Sequence, residues 1–221
     1  MDKKSITVKK AVFSALLCAL LLIACEKNPP EINNIIWQLN FSRDLESGRD
    51  IAHLSLFINA SDEDGLDDIE TIFLFNDKEE LYWEINSDNW YKSESWLGVN
   101  SIRMPDDSAP PDGEYRIVLQ DIGGETDEEY INIKSSGIRK VYPDVKIKDG
   151  KLSITGSQEY YAVQVYNNSK FLTNYIYKTG KEIDTKQEIL VRHNIPQSAF
   201  FDVYYFDKKQ EAGFAIGPYY F

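Results

Sequence analysis

The sequence predicts an all-β chain, folded as two tandem β-sandwiches behind an N-terminal segment that is removed. Three observations predict it. From Ile35 onward apolar residues recur with a period of two, and helical spacing never persists. Clusters of Gly, Pro, Asp and Asn interrupt the apolar runs at short intervals, as strand-connecting turns require. The aromatic content is high, with 11 Phe, 14 Tyr and 4 Trp in 221 residues, and these residue types favour strands.

The N-terminus divides into a cationic start, Met1–Lys10 with Lys3, Lys4, Lys9 and Lys10, and an uncharged, mostly apolar run, Ala11–Ala24. At 1.5 Å rise per residue that run reaches only ~21 Å as a helix, short of a ~30 Å hydrocarbon core. A spanning helix is therefore disfavoured, and residues 1–24 are expected to be a secretory signal peptide. The run ends in Leu22-Ile23-Ala24-Cys25, which resembles the lipobox of bacterial lipoproteins: Leu, a second aliphatic, a small residue, then Cys. The resemblance implies a diacylglyceryl thioether on the Cys25 sulfur, cleavage before Cys25, and a further acyl chain such as palmitate on the freed amine. Two or more chains hold stably where one holds only marginally. The expected location is a bacterial cell envelope, with a membrane as partner through the lipid on Cys25. Glu26 and Lys27 do not assign inner or outer membrane, because sorting rules differ between bacteria. Of the two cysteines, Cys18 leaves with the apolar run, so the processed chain has no internal disulfide.

Removing residues 1–24 takes away four lysines and one aspartate, which moves the net charge from −12 to −15. A chain this acidic is a poor partner for nucleic acid or anionic lipid, which are bound through basic patches. Residues 25–34, polar and holding Pro29-Pro30, are expected to form the lipidated end and a short tether.

Residues 35–137 are expected to form the first sandwich. In Ile51–Ala60, Ala52, Leu54, Leu56, Ile58 and Ala60 share one face, with His53, Ser55, Phe57 and Asn59 opposite. Ser61–Asp68 breaks that strand. Ile69–Phe75 resumes it with apolar residues on both faces, as in the middle of a sandwich. Leu81–Ile85 follows, then a strand holding Tyr115, Ile117 and Leu119 after the turn Pro110–Gly113, then Tyr130–Lys134. Ala60–Phe75, a strand, acidic turn and strand, and Pro111–Asp121, a Gly-containing turn feeding a Tyr-led strand, resemble immunoglobulin-like and fibronectin type III-like domains. That resemblance implies a β-sandwich of this kind and no particular activity.

Residues 138–221 are expected to form the second sandwich, again similar to fibronectin type III-like domains in strand order and spacing. Val145–Lys148 and Leu152–Thr155 flank Asp149-Gly150, a strong hairpin signal. Glu159–Tyr166, Thr173–Lys178, Glu188–Arg192 and Phe200–Phe206 are further strands. The last strand, ending in Tyr219-Tyr220-Phe221, is expected at a sheet edge.

Candidate chemistry is sparse. Asp62, Asp64 and Asp68 lie in a stretch of five carboxylates around Gly65, the oxygen-rich composition calcium takes. The third acidic ligand before the Gly and the Glu six residues beyond it are absent, however, and Asp and Gly in such loops also serve simply to hydrogen-bond the turn. Calcium is the one cofactor these residues bring into question. Trp90, Tyr91 and Trp96 crowd an otherwise polar stretch and form either a ligand platform or cover for the core. His53 and His193 lie near no nucleophile pattern, and no G-x-S-x-G, H-E-x-x-H or phosphate-binding loop occurs. The expected function is therefore non-enzymatic: a lipid-anchored envelope protein displaying two sandwiches for binding or scaffolding, its protein or glycan ligand open. The competing class is a carbohydrate-binding module or small glycan-acting enzyme using the aromatic platform.

Overall fold

The computed structural model describes residues 28–167 and 170–221. The expected signal peptide, Cys18 and the lipidation site Cys25 lie outside the described residues. The first part of the chain supplies β1 (Glu31–Asp44), β2 (Asp50–Ser61), β3 (Ile69–Asn76), β4 (Leu81–Asn86), β5 (Tyr91–Ser93), β6 (Trp96–Ile102), β7 (Gly113–Asp121) and β8 (Thr126–Ile133). The second part supplies β9 (Asp144–Lys148), β10 (Lys151–Thr155), β11 (Tyr160–Asn167), β12 (Lys170–Lys178), β13 (Glu182–Asp184), β14 (Phe200–Asp207) and β15 (Ala212–Tyr220). Among the described residues the chain is all-β apart from one π-helical turn, Lys186–Val191. Among the described residues no helix is long and apolar enough to cross a membrane.

Three sheets result. An eight-stranded sheet runs β12-β11-β14-β15-β1-β2-β6-β5, and two smaller sheets, β4-β3-β7-β8 and β13-β10-β9, back it. The large sheet takes strands from both expected sandwiches. They meet where β15 lies parallel to β1, from Leu39 opposite Ala212 to Asp44 opposite Gly217. The alternation of β2 holds as expected: Ala52, Leu54, Leu56, Ile58 and Ala60 are buried.

Two cores lie on this buried face. Leu54, Leu56 and Ile58 pack with Ile72, Leu74, Tyr115, Ile117 and Leu119. Leu152, Ile154, Val163, Val165, Phe201, Val203 and Phe214 form the other core, together with Leu39, Phe41 and Ala52 from the first two strands. Each such side chain, fully buried, contributes roughly 1.5–3 kcal/mol.

Several local expectations change. β1 begins at Glu31, inside the expected tether, because Glu31 and Ile32 pair with Ser61 and Ala60 and the Ile32 N–H donates to Asp127 Oδ2 at 2.7 Å. The last strand is interior over Ala212–Gly217, between β14 and β1, while Tyr219 and Tyr220 pair with β14 alone. Glu188–Arg192 is not a strand: the π-helical turn there buries Ile189 and leaves Val191 exposed. Phe73 and Phe75 do not meet a second sheet. They stack on each other at 5.8 Å, and Phe75 is covered by Tyr82 and the Arg116 guanidinium. The hairpin at Asp149-Gly150 forms as expected, both residues having positive φ (53° and 74°).

Candidate functional site

The outer face of the eight-stranded sheet, opposite both cores, forms a polar trough of about 550 Å³. Its floor comes from alternate residues of the central strands: Gln38, Asn40 and Ser42 of β1, His53 and Ser55 of β2, and Ala215 of β15. One wall is Gln164 and Tyr166 of β11 with Phe200, Asp202 and Tyr204 of β14, and the other is Asn100, Ser101 and Arg103. β11 and β5 are six strand intervals apart, ~29 Å across a flat sheet. Residues of β11 and of β6, the neighbour of β5, nevertheless line the same trough, so this face of the sheet is concave.

The floor is tied together before any ligand arrives. Gln38 Nε2 donates to Asn40 Oδ1 at 2.5 Å and to Tyr204 Oη at 2.7 Å. Asn40 Nδ2 donates to Ser55 Oγ at 3.1 Å and to the Gln38 carbonyl at 3.2 Å, and Ser55 Oγ donates to the Asn100 carbonyl at 3.1 Å. Glycines make room for it. A Cβ at Gly213 would lie 2.1 Å from Asn40 Oδ1, and one at Gly217 would lie 2.0 Å from Asp202 Oδ1.

The electrostatics follow from burial. Desolvation pushes the Asp202 carboxyl up to about 6, with Asp44 adding to the shift. Burial, helped by Arg103, lowers His53 to about 4, so its imidazole is neutral at pH 7, and its Nδ1 is buried without a partner among the described residues. Burial, then Asp202 and Tyr91, push the Tyr166 phenol up to about 12.

One end of the trough is aromatic. Phe171, Tyr166, Phe200 and Tyr220 are successive cross-strand partners from β12 to β15, which places them on one face. Ring centroids are 5.8 Å (Phe171–Tyr166), 5.6 Å (Tyr166–Phe200) and 6.2 Å (Phe200–Tyr220) apart. The sequence did not single out this ladder, because its members are spread over four strands and meet only through long-range register.

The aromatic residues that the sequence did single out are divided. Trp90 packs on the first core. Tyr91 and Trp96 lie opposite Gly98 and Ser93 on the outer face, with Tyr91 more than half exposed.

The acidic turn also differs in detail. Asp62 and Asp68 converge with Asp121, the last residue of β7, to within 4.8 Å, whereas Asp64 is not part of that group. Burial and the neighbouring Asp62, Asp121 and Asp64 hold the Asp68 carboxyl above its usual range. Carboxylate oxygens gathered this way are the ligand type of hard cations. They also serve the turns: Asp62 Oδ1 accepts the Asp64 N–H at 2.8 Å, and Asp121 Oδ1 accepts the Glu125 N–H at 2.8 Å. Asp121 could not be grouped with the others from sequence, since long-range pairing brings the two turns together: Asp121 lies opposite Ile69 and the Ile122 N–H donates to the Asp68 carbonyl at 2.8 Å.

No family model matches the sequence, and comparison with curated proteins finds no match. Among solved structures, this chain is similar to Tp47, the 47-kilodalton lipoprotein of Treponema pallidum, at 11% identity and a TM-score of 0.39. The similarity covers 86% of this chain and 50% of that one, so the chain spans half the length of the protein it matches. At that level of likeness neither fold family nor role transfers.

Proposed function

We propose that this chain is a non-enzymatic, lipid-anchored protein of a bacterial cell envelope, held through Cys25, that binds its ligand in the trough on the outer face of the eight-stranded sheet. The observation that carries the binding half is the trough itself: a pre-tied polar floor on a sheet whose other face is spent on two cores. Anchoring is supported by Leu22-Ile23-Ala24-Cys25 at the end of a short apolar run behind four lysines. Thioether-linked chains at that sulfur would hold the folded part at the membrane surface while the trough stays in water.

The experiment is detergent phase partitioning of the chain expressed in a bacterial envelope, with mass spectrometry of its N-terminus. The wild type should enter the detergent phase with an acylated Cys25 as its first residue, and Cys25→Ser should move to the aqueous phase. A purified product beginning at Met1, or a Cys25→Ser variant still in the detergent phase, overturns the anchoring.

A further inference from the structure

We infer that the trough binds a short neutral oligosaccharide, its rings laid on the Tyr166–Phe200 ladder and its hydroxyls met by Gln164, Tyr204 and Asp202. The inference rests on reading the chain as a binding protein and names the ligand class of that same surface.

The hydrogen-bonding capacity left unspent in the trough is of both kinds. Gln164 Oε1 accepts the Tyr166 O–H at 3.3 Å, which leaves the Gln164 amide protons to donate. Tyr204 Oη accepts from Gln38 and keeps its own proton, while Asp202 accepts from no other side chain among the described residues. A metal ion takes acceptors alone, and a phosphate or carboxylate takes donors alone. A sugar hydroxyl donates and accepts at once, so a mixed set suits it. Both amide protons of Gln38 and of Asn40 are already committed within the floor, so little ordering is left for the ligand to bring about.

The ladder supplies the apolar half of sugar recognition. Tyr166 and Phe200 stack on each other within 19° of parallel at 5.6 Å and both line the trough, an apolar aromatic surface on which the C–H groups of a pyranose can pack. Phe171 and Tyr220 flank the pair, inclined 71° and 54° to their neighbours, and are 52% and 57% exposed. Charge argues for a neutral chain. The trough carries Arg103 and Asp202, one of each sign, in a protein of net charge −12, so an acidic glycan is repelled by Asp202 and by the overall field. The volume of about 550 Å³ falls in the range of small-molecule sites.

Isothermal titration of the purified full chain in detergent tests this. The probes are neutral hexose oligosaccharides, with sialylated and uronic-acid oligosaccharides alongside. At least one neutral oligosaccharide should bind. Gln164→Ala should weaken it by up to about tenfold at an unchanged thermal midpoint, and Tyr204→Phe, which also removes the acceptor of a Gln38 amide proton, should weaken it as much with a lowered midpoint but a retained fold. Tyr166→Ala should weaken it further, and Tyr82→Ala, exposed on β4, should leave it unchanged. No binding of any neutral oligosaccharide at millimolar concentration, tighter binding of the acidic ones, or full affinity in both Gln164→Ala and Tyr204→Phe overturns the inference and leaves the anchoring intact. New reducing ends released from a bound oligosaccharide would instead overturn the non-enzymatic reading while supporting the trough as the sugar site.

Discussion

Asp202 and His53 line one trough and respond to pH in opposite directions. The Asp202 carboxyl, raised to about 6, binds its proton more tightly in the folded state than in the unfolded one. Its contribution to stability therefore grows as pH falls from about 6 toward 4, by at most about 3 kcal/mol. His53, lowered to about 4, is protonated more readily when unfolded, so its contribution falls over nearly the same window, between pH 6.5 and 4, by about as much. The wild type should consequently show a shallow pH profile there. His53→Gln should gain stability on acidification from pH 7 to 5, Asp202→Asn should lose it, and the double variant should again be flat. Urea midpoints at the two pH values measure all four proteins. Parallel slopes in the two single variants would contradict the assignment. The outward placement of His53 was legible from the alternation of β2. The burial of Asp202 was not, because it depends on the curl of strands far apart in sequence.

Strands and hairpins whose partners are close in sequence were the legible elements. Asp149-Gly150 has the two positive φ values that its turn needs, and Ile51–Ala60 buries the face its pattern marks. Elements set by distant partners were not. Glu188–Arg192 is rich in aliphatic residues, yet Thr185 is tied to the Gly150 carbonyl through both its N–H and its hydroxyl. The chain after β13 reverses there instead of extending. Two glycines inside strands turn close approach into a prediction. A Cβ at Gly98 would meet the Leu56 carbonyl oxygen at 2.1 Å and Phe57 Cα at 2.7 Å, backbone atoms that cannot swing away. At Gly213 the obstructing atoms are the ends of the Asn40 and Tyr204 side chains. Gly98→Ala should therefore cost at least about 3 kcal/mol and Gly213→Ala about 1 kcal/mol, the two ends of the usual overpacking range. Denaturant midpoints check the order. Gly213→Ala should in addition displace the trough floor, visible as changed amide NMR shifts at Asn40 and Tyr204.

At the scale of the molecule, the parallel seam between β1 and β15 decides how stability is shared. The sequence shows two runs of strands divided near residue 137, and two cores do exist. But Leu39, Phe41 and Ala52, all from the first run, are buried in the second core. This seam was not legible, because β1 and β15 lie at opposite ends of the chain and parallel pairing leaves no turn between them to recognise. Phe41 is 2% exposed and stacks on Phe214 at 5.7 Å, so Phe41→Ala should open a cavity between strands of the two runs. The expected cost is about 3–5 kcal/mol. Because the large sheet is continuous through the seam, the loss should be felt on both sides of it. Hydrogen exchange should quicken at Val163, Val165 and Val203 as well as at Leu39 and Ala52. Leu74→Ala, buried in the first core away from the seam, should leave exchange in β11 and β14 close to that of the wild type until the whole sheet unfolds. Two separately folding sandwiches would behave differently: Phe41→Ala would then leave Val163 and Val203 protected, and calorimetry would resolve two transitions, only one of which the substitution moves.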